Sequence, residues 1–240
     1  MILKKVKSEG IASLSYFLAS GSEACVIDPR RDAKTYLKLA WDSEADIRYV
    51  FETHRNEDFV IGSKQIADSA NIEIYHGPVL DWKYGITLKD GQEFSLGVLK
   101  IKAIHTPGHT DESMSYVVYD TSTGNEAVMV FTGDALFVGD TGRIDMYGPE
   151  SSEKNAINLY NSLFNKLIPL GDQCIILPAH GAGSVCGADI NERELSTIGL
   201  ERMQNHALQL KNRQDFIQYK LNEHHYYVPV SYTHLTLPTN

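Results

Sequence analysis

The sequence predicts an α/β protein in which helices cover layers of β-structure. Three observations support this fold class. Short apolar runs typical of strands alternate with segments of helical spacing over residues 11–75. The middle of the chain then changes to short strands separated by turns, and an amphipathic helix follows. At 240 residues the chain can bury a full core, and we interpret residues 1–229 as one layered domain.

In the first half, strands and helices are expected in turn. Apolar runs bounded by turn residues predict strands at residues 11–19, 24–27, 47–51 and 72–75. Residues 32–41 carry apolar side chains at helical spacing, which predicts a helix there. A second helix is expected just after residue 58.

The second half combines hairpins with further helices. Turn sequences separate short strands between residues 83 and 131, which predicts antiparallel hairpins. Ser151 or Ser152 is expected to cap a helix with one apolar face. A strand is predicted at 173–177 and a polar helical region at 191–222.

Residues 230–240 continue no pattern set up before them. They resemble the translation of a sequencing adapter, so we give them no functional role. We therefore expect the natural protein to continue past about residue 229.

Composition and charge argue against several classes of partner. The formal net charge is −9, whereas binding to nucleic acid or an anionic membrane needs a basic face. No apolar run reaches the roughly 18 residues of a transmembrane helix, and residues 1–5 lack the features of a signal peptide. The three cysteines are too scattered for a disulfide framework. We predict a cytoplasmic protein without a nucleic-acid or membrane partner.

Three side chains capable of binding a metal each follow a predicted strand. They are His54 within residues 51–58 (Phe-Glu-Thr-His-Arg-Asn-Glu-Asp), His109 within 106–110 (Thr-Pro-Gly-His-Thr), and Asp134 within 131–134 (Phe-Thr-Gly-Asp). Loops rooted in neighbouring strands can converge on one point, and imidazole with carboxylate suits zinc or iron. The sequence therefore predicts a metal site built from these three residues. Gly108 and Gly133 are expected to let the backbone approach the metal.

These motifs resemble those of the metallo-β-lactamase superfamily over about residues 1–190. The resemblance implies an αββα sandwich, in which two sheets lie between two layers of helices. The superfamily's first motif is His-x-His-x-Asp-His, and its counterparts here are His54, Asn56, Asp58 and Phe59. The superfamily's later ligands correspond to His109, Asp134 and His180.

Two departures from the first motif change the chemistry that the resemblance implies. Asn56, which we expect to lie beside the site, replaces a nitrogen ligand of the first metal. Phe59 replaces one of the second metal and adds apolar bulk. A two-zinc site is therefore poorly supplied, and a two-His-one-carboxylate set remains. Such a set, with open positions for O₂ and a substrate sulfur, is typical of non-haem Fe(II) oxygenases.

Within the superfamily, the motifs resemble the persulfide dioxygenases, which use one iron per chain. The stretches around His109 and Asp134 and residues 142–145 (Gly-Arg-Ile-Asp) carry this resemblance. It implies that an Fe(II) enzyme oxidises a thiol persulfide, carried by glutathione or another thiol, to thiol and sulfite. Residues 52–58 further resemble proteins in which a rhodanese domain follows this domain. The oligomeric state stays open, with a homo-oligomer among the alternatives.

Two other functions stay open. A zinc-dependent thioester hydrolase resembling glyoxalase II would use the same three ligands with a metal-bound water. A non-catalytic docking domain would keep the fold without the chemistry, although the retained ligand set argues against it.

Five further residues are candidates for the surroundings of the metal. Asp58 either orients a metal-binding histidine or caps the following helix, and Asp28 either orients a ligand or forms a turn. His180 is expected to line the pocket rather than bind the metal. Arg143 either binds carboxylates of the persulfide carrier or forms a salt bridge, and Tyr147 is expected in the substrate wall.

Overall fold

The computed structural model describes residues 1–8, 10–56 and 60–223, and it shows two six-stranded sheets. The first sheet contains β1 (Ile2–Ser8), β2 (Ser13–Ser20), β3 (Glu23–Ile27), β4 (Asp46–Phe51), β5 (Ile74–His76) and β6 (Ile86–Thr87). These strands are hydrogen-bonded in chain order. Strands β1 to β3 are antiparallel, whereas β3 to β6 run parallel. The four predicted strands of this half are present, and β1 was not predicted.

The second sheet contains most of the predicted hairpins. Its strands are β7 (Glu93–Leu96), β8 (Leu99–His105), β9 (Met114–Asp120), β10 (Ala127–Gly133), β11 (Ile175–Pro178) and β12 (Ser196–Thr197). Strands β7 to β10 are antiparallel neighbours, and β11 runs parallel to β10. The carboxyl ends of β8, β10 and β11 therefore lie at the same edge. The hairpin prediction was wrong for β6, which pairs in parallel with β5.

Six α-helices accompany the sheets within the described residues. They are α1 (Ala33–Asp42), α2 (Ser63–Ala70), α3 (Pro149–Ser162), α4 (Ile198–Gln204), α5 (His206–Gln209) and α6 (Arg213–Asn222). A π-helical segment, Leu163–Leu167, and a 3-10 turn, Ile168–Leu170, continue α3. None of these helices has the length and apolar character needed to cross a bilayer.

Three predicted helix starts were wrong, for local reasons. Helix α2 starts at Ser63 because Ile61 forms a bridge with Arg30 and the Gly62 amide donates to the Pro29 carbonyl. Helix α3 starts at Pro149 rather than at a serine cap, since the fixed φ of proline suits the first helical position. The last helical region starts at 198 rather than 191, because β12 precedes it.

The core consists of three apolar layers, which confirms the expected αββα sandwich. Between the sheets, Tyr16 and Leu18 of β2 pack in one cluster with side chains of the second sheet such as Phe131. The alternate residue Phe17 joins a cluster with helices α1 and α2. Leu159 of α3 belongs to the layer on the outer face of the second sheet. Because alternate side chains of a strand point to opposite faces, β2 is buried on both sides.

Candidate metal centre

Loops at one edge of the two sheets bring the predicted ligands together. His54 follows β4, His109 follows β8 and Asp134 follows β10. Their donor atoms all lie within 4.8 Å of one another, and the three side chains are buried. The Nε2 atoms of His54 and His109 lie 3.5 and 3.4 Å from the same Oδ2 of Asp134. Two imidazole nitrogens and a carboxylate that face one point fit a single iron or zinc ion.

A chain of hydrogen bonds from Asp28 sets the orientation of His54. The Asp28 carboxylate accepts the Thr53 amide at 2.8 Å and the Thr53 hydroxyl at 2.7 Å. The Thr53 oxygen, having given its proton to Asp28, accepts from Nδ1–H of His54 at 2.9 Å. This arrangement leaves the lone pair of His54 on Nε2, facing Asp134. Asp28 therefore acts on a predicted ligand through Thr53, one of the two alternatives left open by the sequence.

His109 is oriented by a different acceptor with the same result. Its Nδ1 lies 3.0 Å from the carbonyl oxygen of Arg143, which can only accept a hydrogen bond. Nδ1 therefore carries the proton, and the lone pair on Nε2 faces Asp134. Burial lowers the pKa of His109 to about 4, so the ring is neutral at neutral pH. A neutral imidazole is the form that binds metal.

Asp134 is charged despite its burial. Burial alone would raise its pKa, but His180, His54 and His109 lower it well below the ordinary value. His180 follows β11, and its Nδ1 donates to the two carboxylate oxygens of Asp134 at 2.8 and 3.0 Å. The structure thus places His180 against a predicted ligand, where it can orient the carboxylate. The ligand role of His54, His109 and Asp134 itself stays a prediction.

Of the two residues that depart from the first motif, the structure describes Asn56. The Nδ2 of Asn56 donates to the carbonyl oxygen of His54 at 3.2 Å. Its Oδ1 is buried without a hydrogen-bond partner among the described residues. Asn56 therefore turns back onto its own loop. The calls on Asp58 and Phe59 lie outside the described residues.

Arg143 and Tyr147 are both bonded to carboxylates of the protein. The guanidinium of Arg143 is buried and binds Asp145 through two bonds, of 2.6 and 3.0 Å. Its Nη1 also donates to the Val185 carbonyl at 3.2 Å. Tyr147 donates to Glu112 at 3.1 Å, and burial raises the pKa of its hydroxyl. The salt-bridge alternative for Arg143 is therefore the observed one, and a direct contact of either side chain with substrate stays untested.

Sequence reasoning missed Thr53 and Glu112 near the centre, and it left a role for Cys186, in its Gly-rich loop, open. Thr53 transmits the position of Asp28, and Glu112 accepts the Arg55 amide as well as the Tyr147 hydroxyl. Cys186 has its sulfur within 4.8 Å of donor atoms of Asp134 and His180. Of the two missed residues, only Thr53 has a signal in the sequence, its proximity to the motif histidine.

At both motif glycines, other parts of the chain lie too close for a side chain. A Cβ at Gly133, where φ is +54°, would lie 2.8 Å from Cβ of Thr53. A Cβ at Gly108 would lie 2.5 Å from the Leu159 backbone of α3. Both glycines therefore permit close packing of chain on chain. That they also make room at the metal stays a prediction.

Comparison with known families agrees with the fold. The model of the metallo-beta-lactamase superfamily matches residues 9–180, so the chain belongs to this superfamily. Members are typically metal-dependent enzymes, and the cluster of two histidines and an aspartate provides a candidate metal site.

Two relatives and one solved structure are similar to this chain in sequence or fold. The chain is 28% identical to the bovine mitochondrial persulfide dioxygenase ETHE1 over 222 residues, covering 88% of this chain and 77% of that one. It is 32% identical to the hydroxyacylglutathione hydrolase of Dictyostelium discoideum over 162 residues, covering 65% of this chain and 57% of the other. A metallo-beta-lactamase structure from Staphylococcus aureus matches with a TM-score of 0.89 and 29% identity, covering 97% of this chain and 70% of the other.

Proposed function

We propose that this chain is a non-haem Fe(II) persulfide dioxygenase of the cytoplasm. The reaction is R–S–SH + O₂ + H₂O → R–SH + SO₃²⁻ + 2 H⁺, in which the outer sulfur is oxidised and O₂ is reduced. The thiol carrier, of the glutathione kind, and a rhodanese domain that follows in the natural protein belong to the same proposal.

The composition of the donor cluster is the observation that carries this proposal. Two imidazoles and one carboxylate converge. Asn56, which donates to the His54 carbonyl, stands where the superfamily motif has a third imidazole. This facial set is typical of iron enzymes that use O₂. The similarity to the bovine persulfide dioxygenase supports the same choice of chemistry.

The protein's own residues have defined tasks in this function. When bound, Fe(II) would supply open coordination positions for O₂ and the persulfide sulfur. His54 and His109 hold their Nε2 lone pairs in place through Thr53 and the Arg143 carbonyl. The burial of both rings and of Asp134 limits the access of bulk water. Glu112 accepts the Arg55 amide and so joins the loop after β8 to the loop after β4.

A second candidate function is thioester hydrolysis with zinc. The same donor set fits zinc, and the identity of 32% to a hydroxyacylglutathione hydrolase favours this alternative. His54, His109 and Asp134 would hold the zinc, which would activate water for attack on the thioester. The two candidates therefore differ in the metal and in the need for O₂.

Metal analysis combined with two assays tests the proposal. The protein is loaded with Fe(II) or with Zn(II), and each form is given a persulfide and a glutathione thioester. We expect O₂ uptake with the persulfide by the iron form alone, abolished by His109→Ala and retained by His206→Ala, whose ring is exposed. Thioester hydrolysis by the zinc form without O₂ uptake by the iron form would support the second candidate instead.

A further inference from the structure

A cleft of about 570 Å³ lies beside His180, on the side of the first sheet's β1–β2 hairpin. The hairpin forms one wall, and residues 181–183 and 190–194 form another. The two walls are tied together, since the Gly181 amide donates to the Ala12 carbonyl at 2.9 Å. Ligand pockets for small molecules commonly measure about 300–1,000 Å³. The cleft therefore has the size for a small carrier molecule. Its lining includes His180, which bonds to the predicted ligand Asp134, but not the three predicted ligands themselves.

Two lysines on one face of β1 line this cleft. Lys5 and Lys7 are two positions apart on the strand, so their side chains point to the same side. The side chain of Lys5 is only 21% exposed, and burial lowers its pKa. With Arg193, this pair of lysines gives the cleft three cations against the two carboxylates of Glu192 and Glu194, in a chain whose formal charge is −9. Such a pair provides a binding place for a carboxylate or phosphate.

The protein already places a carboxylate between these lysines. Glu194 accepts from Lys5 at 3.0 Å and also bonds to Lys7. Its side chain is 56% exposed, and exposed ion pairs of this kind contribute little to stability. The other cation of the cleft, Arg193, is bonded to Glu201 and Gln204. An incoming anion can therefore replace Glu194 at a small cost in free energy. Arg193, by contrast, is already bonded to other side chains.

Arg143, which the sequence suggested as the residue that binds carrier carboxylates, is already bonded to other groups of the protein. Arg143 is buried and doubly bonded to Asp145, so a substrate carboxylate would have to compete with an enclosed ion pair. Among the described residues, Lys5 and Lys7 form their salt bridges with the partly solvated carboxylate of Glu194. Among these cations, the lysines are the more available partners for an anionic substrate.

We propose that Lys5 and Lys7 bind the anionic end of the thiol carrier in this cleft, in the place that Glu194 occupies when no carrier is bound. The carrier must then bear a carboxylate or a phosphate remote from its sulfur. This inference rests on the proposed function, because it describes part of the substrate of the same site. Glu194 would lower the affinity for carriers by competing with them.

Equilibrium binding tests this inference without turnover. The probes are S-methylglutathione, which bears carboxylates, its diethyl ester, which lacks them, and dethio-coenzyme A, which bears phosphates. We expect one anionic probe to bind and the Lys5→Ala/Lys7→Ala double variant to weaken it about tenfold or more. Lys4→Ala, on the opposite face of β1, should change the dissociation constant less than about twofold. Glu194→Gln should strengthen binding, a change that a misfolded variant would not produce.

Kinetics separates this inference from the proposed function. In an active dioxygenase, the double lysine variant should raise KM for the charged persulfide and leave kcat nearly unchanged. The persulfide of 2-mercaptoethanol, which has no charge away from the sulfur, should react equally well with both proteins. Charge-dependent binding without O₂ uptake would refute the proposed function but support the assignment of the cleft as an anion-binding site. O₂ uptake with Kd and KM insensitive to the lysines, to Glu194 and to esterification would refute the cleft assignment.

Discussion

Single hydrogen bonds decide which nitrogen of each histidine is available at the candidate centre. Asp28, acting through Thr53, fixes the proton of His54 on Nδ1. The Arg143 carbonyl does the same for His109 by direct contact. A sequence can indicate His54, His109 and Asp134, because each follows an apolar strand. It cannot indicate Thr53 or Glu112 with the same ease, since their partners are distant in the chain.

Replacing Thr53 by valine tests the role of its hydroxyl. Valine keeps the shape but gives Asp28 no proton and His54 no acceptor. We expect metal affinity to fall about 10- to 100-fold, the usual effect of losing a partner of a metal-binding histidine. Competition with a chromophoric chelator measures this affinity. Thr53→Ser keeps the hydroxyl and should retain affinity close to the wild type; an equal loss in both variants would contradict the hydroxyl's role.

Glu52 gives a pH dependence of stability whose sign can be stated. Burial raises its pKa to about 7 from 4.5, and Tyr84 donates to its Oε2 at 2.9 Å. Between these pH values the folded state binds more protons than the unfolded state, so this residue lowers stability as pH rises, with the full penalty above pH 7. Glu52→Gln should therefore gain about 1–3 kcal/mol relative to wild type at pH 8 and little at pH 4.5.

Urea unfolding across this pH range measures the effect of Glu52. Glu126→Gln, at an exposed position, is the matched control and should follow the wild type at every pH. A difference between wild type and Glu52→Gln that does not change with pH would rule out the raised pKa as its cause.

The elements of the fold differ in how well the sequence predicts them. Strands β2, β3 and β4 each contain a run of apolar residues, so composition alone indicates them. Strand β1 contains three lysines and was missed; seven paired positions with β2 hold it in the sheet. Helix α2 starts late because of the pairing of Ile61 with Arg30, a contact between distant segments. Elements that depend on long-range pairing are thus the ones that local pattern cannot locate.

The end of β10 must approach the loop after β4, and Gly133 makes this contact. Gly133→Ala would place a Cβ 2.8 Å from Cβ of Thr53 at a φ of +54°. We expect a loss of about 1–3 kcal/mol in stability and weaker metal binding, since Thr53 orients His54. Gly124→Ala is the control, because nothing lies within 4 Å of its added Cβ and its φ is not positive.

Chemical denaturation and metal titration of both glycine variants provide the readout. If Gly133→Ala bound metal and unfolded like Gly124→Ala, the close approach would not be needed for the site.

In the molecule as a whole, the candidate centre joins the two sheets. His54 comes from the first sheet, whereas His109 and Asp134 come from the second. A metal bound by all three would hold the sheets together at this edge and bind only the folded state. At 100 times its dissociation constant, such a ligand stabilises by about 2.7 kcal/mol, which raises Tm by roughly 5–10 °C at this chain length.

Removal of the metal with a chelator should therefore lower Tm by that amount, and restoring iron should recover it. Differential scanning calorimetry measures both steps. His109→Ala should show a much smaller shift, and an equal shift in this variant would place the stabilising metal outside the candidate centre.

We claim that, in the proposed function, the two-His-one-carboxylate centre couples the oxidation of a persulfide to the reduction of O₂. The most direct measurement is the simultaneous quantification of O₂ consumed and sulfite formed by the iron-loaded protein with a thiol persulfide. The balanced reaction predicts one O₂ consumed for each sulfite, at a rate that falls to background in His109→Ala. Thiol release without O₂ consumption, or O₂ uptake that persists in His109→Ala, would contradict the claim.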